Sequence, residues 1–109
     1  MDIETEILKL LRERNHVSFA ELNRIPGFDG EGSISHPRYN NILIWHRVSE
    51  EGYHAINNLM GNYGVAITPC EQLVYIIDGL VPNIPIAKSA RSYAKPRWLP
   101  CVLVLPEAK

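Results

Sequence analysis

Beyond residue 80, prolines stand at positions 82, 85, 96, 100 and 106, so five of the chain's eight prolines fall in its last 29 residues. Each fixes φ and removes a backbone donor, which stops an α-helix close to where it falls. The final quarter must therefore be extended or turned, except that Ala87 to Tyr93 has room for two helical turns. Cys101 to Leu105 is an apolar run free of proline and predicts a closing strand. Longer helices are confined to the first 80 residues.

Within those 80 residues, Ile3, Ile7, Leu8, Leu10 and Leu11 recur at the three- and four-residue spacing of a helix with one buried face. Asp2 suits its N-cap, Glu4 and Glu6 the positive end of its dipole, and Arg12 and Arg14 the negative end. Val17 is short and strand-like. Ser18-Phe19-Ala20-Glu21 then has the form of a capping box and opens a short second helix, Phe19 to Arg24, that stops before Pro26-Gly27. A third helix begins after Ser49, with Glu50 and Glu51 in its first turn. Its expected buried face carries Tyr53, Ile56, Leu59 and Met60, and Gly61 and Gly64 supply its end.

Between the second and third helices, residues 27–41 are rich in Gly, Ser, Asn and Pro and read as an extended surface loop, on which Phe28, Ile34 and Tyr39 offer apolar groups to a partner. Ile42 to Val48 is β-branched, aromatic and short, which favours a strand, with a helix as the alternative. After the third helix, Val65 to Thr68 and Leu73 to Ile77 read as two strands of a hairpin joined by Pro69-Cys70-Glu71-Gln72, with Asp78-Gly79 as the following turn. Residues 1–80 thus form a core and residues 81–109 a Pro-rich arm, packed on it or extending from it, within one domain.

A chain of 109 residues with 46% hydrophobic and 21% charged content is sized for one domain with a real core. No apolar run approaches the roughly 20 residues of a membrane-spanning helix. The acidic start differs from the basic, then apolar, pattern of a signal peptide, so the expected location is the cytoplasm. Cys70 and Cys101 are too few for a disulfide framework and are expected to be reduced and buried. The net charge of −1 conceals a division: residues 1–80 carry six Lys or Arg against eleven Asp or Glu, a net −5, while residues 81–109 carry five against one, a net +4. A local basic surface is implied.

The order of these elements resembles the winged helix-turn-helix family. The resemblance rests on Ile7 to Leu11, on Val17 to Leu22, and on Ser49 to Met60 followed by Val65-Ala66-Ile67, and covers about residues 3–78. It implies an α+β fold of three helices and a β-hairpin wing, here with an inserted loop and strand between the second and third helices. It also implies that the third helix enters the major groove while the wing touches the backbone or minor groove. The chain departs from the pattern where residues 25–48 replace a tight turn and where Glu50 and Glu51 stand in place of phosphate-neutralising cations. The tail from Leu73 to Pro100 is similar to segments of small uncharacterised phage and prophage proteins.

The exposed side of the third helix offers His54, Asn57 and Asn58 as base readers, since Asn pairs bidentately with adenine. Lys88, Arg91, Lys95 and Arg97 interleave with Tyr93 and Trp98, a combination suited to phosphates and stacked bases; equally, the aromatics can dock on the core while the basic stems cover its acidic surface. His16, His36, His46, His54, Cys70 and Cys101 show no metal-ligand spacing, so no metal is expected. Ser49 with His46 or His54 and Asp78 lacks a nucleophile elbow, and Gly27, Gly30 and Gly32 lack the lysine of a phosphate loop. The expected function is accordingly non-enzymatic and cofactor-free: a DNA-binding or regulatory protein of a phage or prophage. The alternative is a module that binds a host or phage protein through the glycine-rich loop and the acidic start of the third helix. Homodimerisation fits the family resemblance.

Overall fold

The computed structural model describes residues 2–106 as an α+β domain of four helices and two three-stranded sheets. Helix α1 (Ile3–Arg14) starts where Asp2 accepts a hydrogen bond from the Thr5 amide at 2.7 Å, and it buries Ile3, Ile7 and Leu11. After β1 (Val17–Ser18), Ser18 and Glu21 close the expected capping box around α2 (Phe19–Leu22), which ends two residues sooner than the sequence suggests. Strand β3 (Ile42–Val48) is present as expected. Ser49 caps α3 (Glu50–Tyr63), accepting from the Gly52 amide at 2.9 Å and donating to the Gly27 carbonyl at 2.6 Å. Gly64, at φ +70°, ends α3, whereas Gly61 lies inside the helix.

Several elements differ from expectation. The loop of residues 27–41 contains β2 (Gly32–Ser35), which pairs antiparallel with β3 through an irregular register. Phe28 and Ile34 are buried in the core and present nothing to a partner. The glycines of this loop allow close packing: a Cβ on Gly30 would lie 2.5 Å from Ser49 Cα. On α3 the buried face is Gly52, Ala55, Ile56 and Leu59, while Tyr53 and Met60 are exposed. Gly52 belongs inside because Phe28 occupies the space a side chain there would need.

The wing hairpin is not formed. Residues 73–77 lie in a helix, α4 (Gln72–Asp78), ended by Gly79 at φ +81°. Strand β4 (Ala66–Pro69) instead pairs antiparallel with β6 (Cys101–Val104), whose other edge takes β1. The tail also supplies β5 (Arg97–Trp98), parallel to β3 in a sheet of order β2-β3-β5. Residues 87–93 form no helix; Ala87 and Ile86 are tied to Trp98 by an amide hydrogen bond and a bridge.

A run of aromatic rings joins the elements. Phe19 stacks on Trp45 at 6.0 Å, Trp45 meets Tyr75 at 5.3 Å, and Tyr75 meets Trp98 edge-on at 5.0 Å, linking α2, β3, α4 and β5. The Trp45 indole donates to Asn23 Oδ1 at 2.6 Å, and Asn23 Nδ2 donates to the Arg47 carbonyl at 3.0 Å, which fastens the end of α2 to β3. No helix among the described residues is long and apolar enough to cross a membrane.

Candidate nucleic-acid interface

The two sets of sequence-predicted residues lie at opposite ends of β3. At its C-terminal end, His54 and Asn58 border an open groove with Asp2, Glu4 and Glu51, and Asn58 Nδ2 donates to Glu4 Oε1 at 3.1 Å. Asn57 is exposed on the same helix. Three carboxylates beside the would-be base readers repel a phosphate backbone, and Asn58 is already committed to one of them. The acidic residues suit the N-terminal ends of α1 and α3, where the helix dipoles favour negative charge.

At the other end of β3, roughly 20 Å away along a seven-residue strand, the tail turns back over the β2–β3 connection. Asn41 joins the two segments: its carbonyl accepts from the Arg97 amide at 2.7 Å, and its side-chain amide donates to the Tyr93 carbonyl at 2.7 Å. Trp98 is wholly buried, its amide donating to the Pro85 carbonyl at 2.8 Å, and this anchors the basic loop. It therefore offers no face to a base.

Tyr93 organises the loop. Its hydroxyl accepts from the Lys88 and Ser89 amides at 3.1 and 3.4 Å and donates to the Ser89 carbonyl at 3.2 Å. The guanidinium carbons of Arg91 and Arg97 stand 4.4 and 4.9 Å from its ring centroid, within cation–π range. Desolvation of the phenol opposes its ionisation, but hydrogen bonds from Ser89, Arg91 and Lys88 outweigh it and hold its pKa below the ordinary tyrosine value. The ring is occupied by cations, so its role here is to hold arginines rather than to stack on a base. Arg97 is fixed further by Nη1 donating to the Ile86 carbonyl at 3.3 Å.

The β2–β3 turn adds groups that the sequence reading leaves out. His36 and Tyr39 pack at 5.1 Å between centroids, and Arg38 is exposed beside them. Arg38, Lys88, Arg91, Lys95 and Arg97 thus belong to two segments joined at Asn41, and residues 32–49 and 79–106 contain no Asp or Glu. Ion pairs among the described residues are Arg14 with Glu21 and Arg47 with Asp29, neither at this end of β3. The docked-tail alternative is thus correct for Trp98, while the basic side chains pair with none of the described carboxylates.

Other candidate chemistry is dispersed. Ser49 is used by its cap and by Gly27, and the Asp78 carboxylate accepts from the buried Ser18 hydroxyl. Burial pushes the Cys70 thiol up to about 11 and the Cys101 thiol to about 12. No group of three or more His, Cys, Asp or Glu among the described residues is placed to hold a metal. No family model, curated protein or solved structure matches this chain.

Proposed function

We propose that the protein is a non-enzymatic nucleic-acid-binding protein whose contact surface is the basic end of β3, formed by Lys88, Arg91, Lys95 and Arg97 together with Arg38 of the β2–β3 turn. The observation that carries the reading is five cations on a pair of carboxylate-free segments, two of them held in place by Tyr93. Guanidinium groups fixed on an aromatic ring lose little freedom when they meet a phosphate, and their planar forks match its oxygens. The contacts fall on the backbone rather than on base edges, so binding is predicted to tolerate sequence changes. In this reading α1, α2 and α3 are the helical half of a winged-helix-like domain, and the DNA contact lies away from α3: His54, Asn57 and Asn58 make no base contacts.

Fluorescence anisotropy against duplex and single-stranded DNA tests this. Five phosphate contacts give a log–log salt slope of about −3.5 on single strands, so affinity falls roughly 100-fold between 50 and 200 mM salt. The triple variant Lys88→Ala, Arg91→Ala, Lys95→Ala leaves Arg97 and the aromatic core in place and is expected to flatten that slope by about 2. Absence of binding at 50 mM salt, or a folded variant that binds like the wild type, would overturn the proposal.

A further inference from the structure

On α4, Tyr75 faces the core while Gln72, Leu73, Ile76 and Ile77 share the outward face, continued beyond the helix by Val81. Leu73 is 59% exposed, Ile76 55%, Ile77 74% and Val81 40%. Together they leave roughly 400 Å² of aliphatic surface in water, a patch of the size that marks an interaction site on a small protein. The helix is rigidly mounted. The Tyr75 hydroxyl is bonded to Phe19 and Cys101, the Asp78 carboxylate accepts from Ser18, and the Asp78 carbonyl accepts from Arg24 at 3.2 Å.

We propose that this face is a self-association surface, on which a second copy of the chain packs α4 against α4 about a two-fold axis. Three features select that occupant. The outward face carries no charged side chain, since Asp78 turns toward Ser18 and Glu71 lies before the helix, so a basic or acidic partner finds no complement on it. It is a protruding ridge with Leu73 and Ile77 four residues apart, and such a ridge packs into the matching groove of another helix. A second copy supplies the same ridge and groove, and a two-fold axis makes them mutually complementary. Two patches of this size with their rims come close to the roughly 1,200 Å² at the lower limit of specific interfaces, which predicts a weak dimer.

The dimer stands independently of the nucleic-acid reading, and its test contains no nucleic acid. Sedimentation velocity of the full chain from about 1 to 200 µM is expected to show a monomer–dimer equilibrium in the micromolar range. Ile76→Gln with Ile77→Gln, both exposed and so compatible with the fold, is expected to weaken dimerisation at least about tenfold without lowering the melting temperature. A wild-type chain that stays monomeric throughout, or a folded variant that dimerises as the wild type does, would overturn the proposal. So would a monomer that binds phosphatidylcholine vesicles through Ile76 and Ile77, because that outcome assigns the face to lipid.

Discussion

Replacing Tyr75 with Phe removes one oxygen atom from the point where the chain's two halves meet. The β1–β6 register pairs Val17 with Leu103 and Ser18 with Val102, and its continuation would set Phe19 opposite Cys101. The Tyr75 hydroxyl is inserted at that next rung: it accepts from the Phe19 amide at 2.9 Å and donates to the Cys101 carbonyl at 2.5 Å. Burial raises the phenol's pKa far above the ordinary value, so it remains a donor at any physiological pH. Phenylalanine keeps the ring between Trp45 and Trp98 and opens no large cavity, but it strands a buried N–H and a buried C=O. Each costs about 1–3 kcal/mol, and partial closure of the two groups onto each other leaves a net loss of about 3 kcal/mol. At about 4–8 °C per kcal/mol for a domain of this size, the melting temperature falls by about 12–20 °C. Urea unfolding followed by tryptophan fluorescence reads the loss, since Trp45 and Trp98 flank the ring. A change below about 0.5 kcal/mol would refute the view that this hydroxyl joins α4 to both strands.

Further expectations concern the connection between β2 and α3, and β3 itself. Gly30→Ala drives a Cβ to 2.5 Å from Ser49 Cα and is expected to cost about 1–3 kcal/mol in urea unfolding; an unchanged midpoint would mean that the loop moves freely off α3. Ser49→Ala removes the cap on Gly52 and the donor to Gly27, for a predicted loss of about 1–2 kcal/mol with unchanged m-value. Partial burial, then the neighbouring Arg47, hold the His46 pKa below its ordinary 6.5, against the pull of Asp29. The unfolded chain therefore takes up this proton first. The stability due to a neutral His46 is complete above pH 6.5 and declines as pH falls toward the lower folded value. Stability measured from pH 7.5 to 5 is expected to fall less steeply in His46→Gln, and equal slopes would contradict the burial argument.

What could be read from the residues depended on whether the deciding interaction was local. Asp2, the Ser18–Glu21 box and Ser49 act on amides within three residues, so the starts of α1, α2 and α3 were legible. The run Leu73 to Ile77 was not. Five apolar, partly β-branched residues fit a strand, and the choice of helix is tied to Tyr75 reaching Phe19 and Cys101, 56 and 26 residues distant. The partner of β4 is likewise set by β6, beyond a tail whose prolines suggested a separate arm. The inward face of α3 was misjudged at Tyr53 and Met60, because Phe28 from a distant loop demands glycine at 52. The same dependence governs the candidate site. The four cations of residues 88–97 were visible in the charge division, whereas Arg38 joins them only through Asn41, which ties the β2–β3 turn to the tail. The stretch without acids from 32 to 49 was the available signal.

Which end of β3 meets nucleic acid is decided most directly by titrating ¹⁵N-labelled protein with a short single-stranded DNA and following amide shifts residue by residue. The account predicts that perturbations gather at His36 to Asn41 and Lys88 to Arg97 and vanish as salt is raised. Shifts centred on His54, Asn57 and Asn58, with the basic loop unmoved, would contradict it and return the contact to α3.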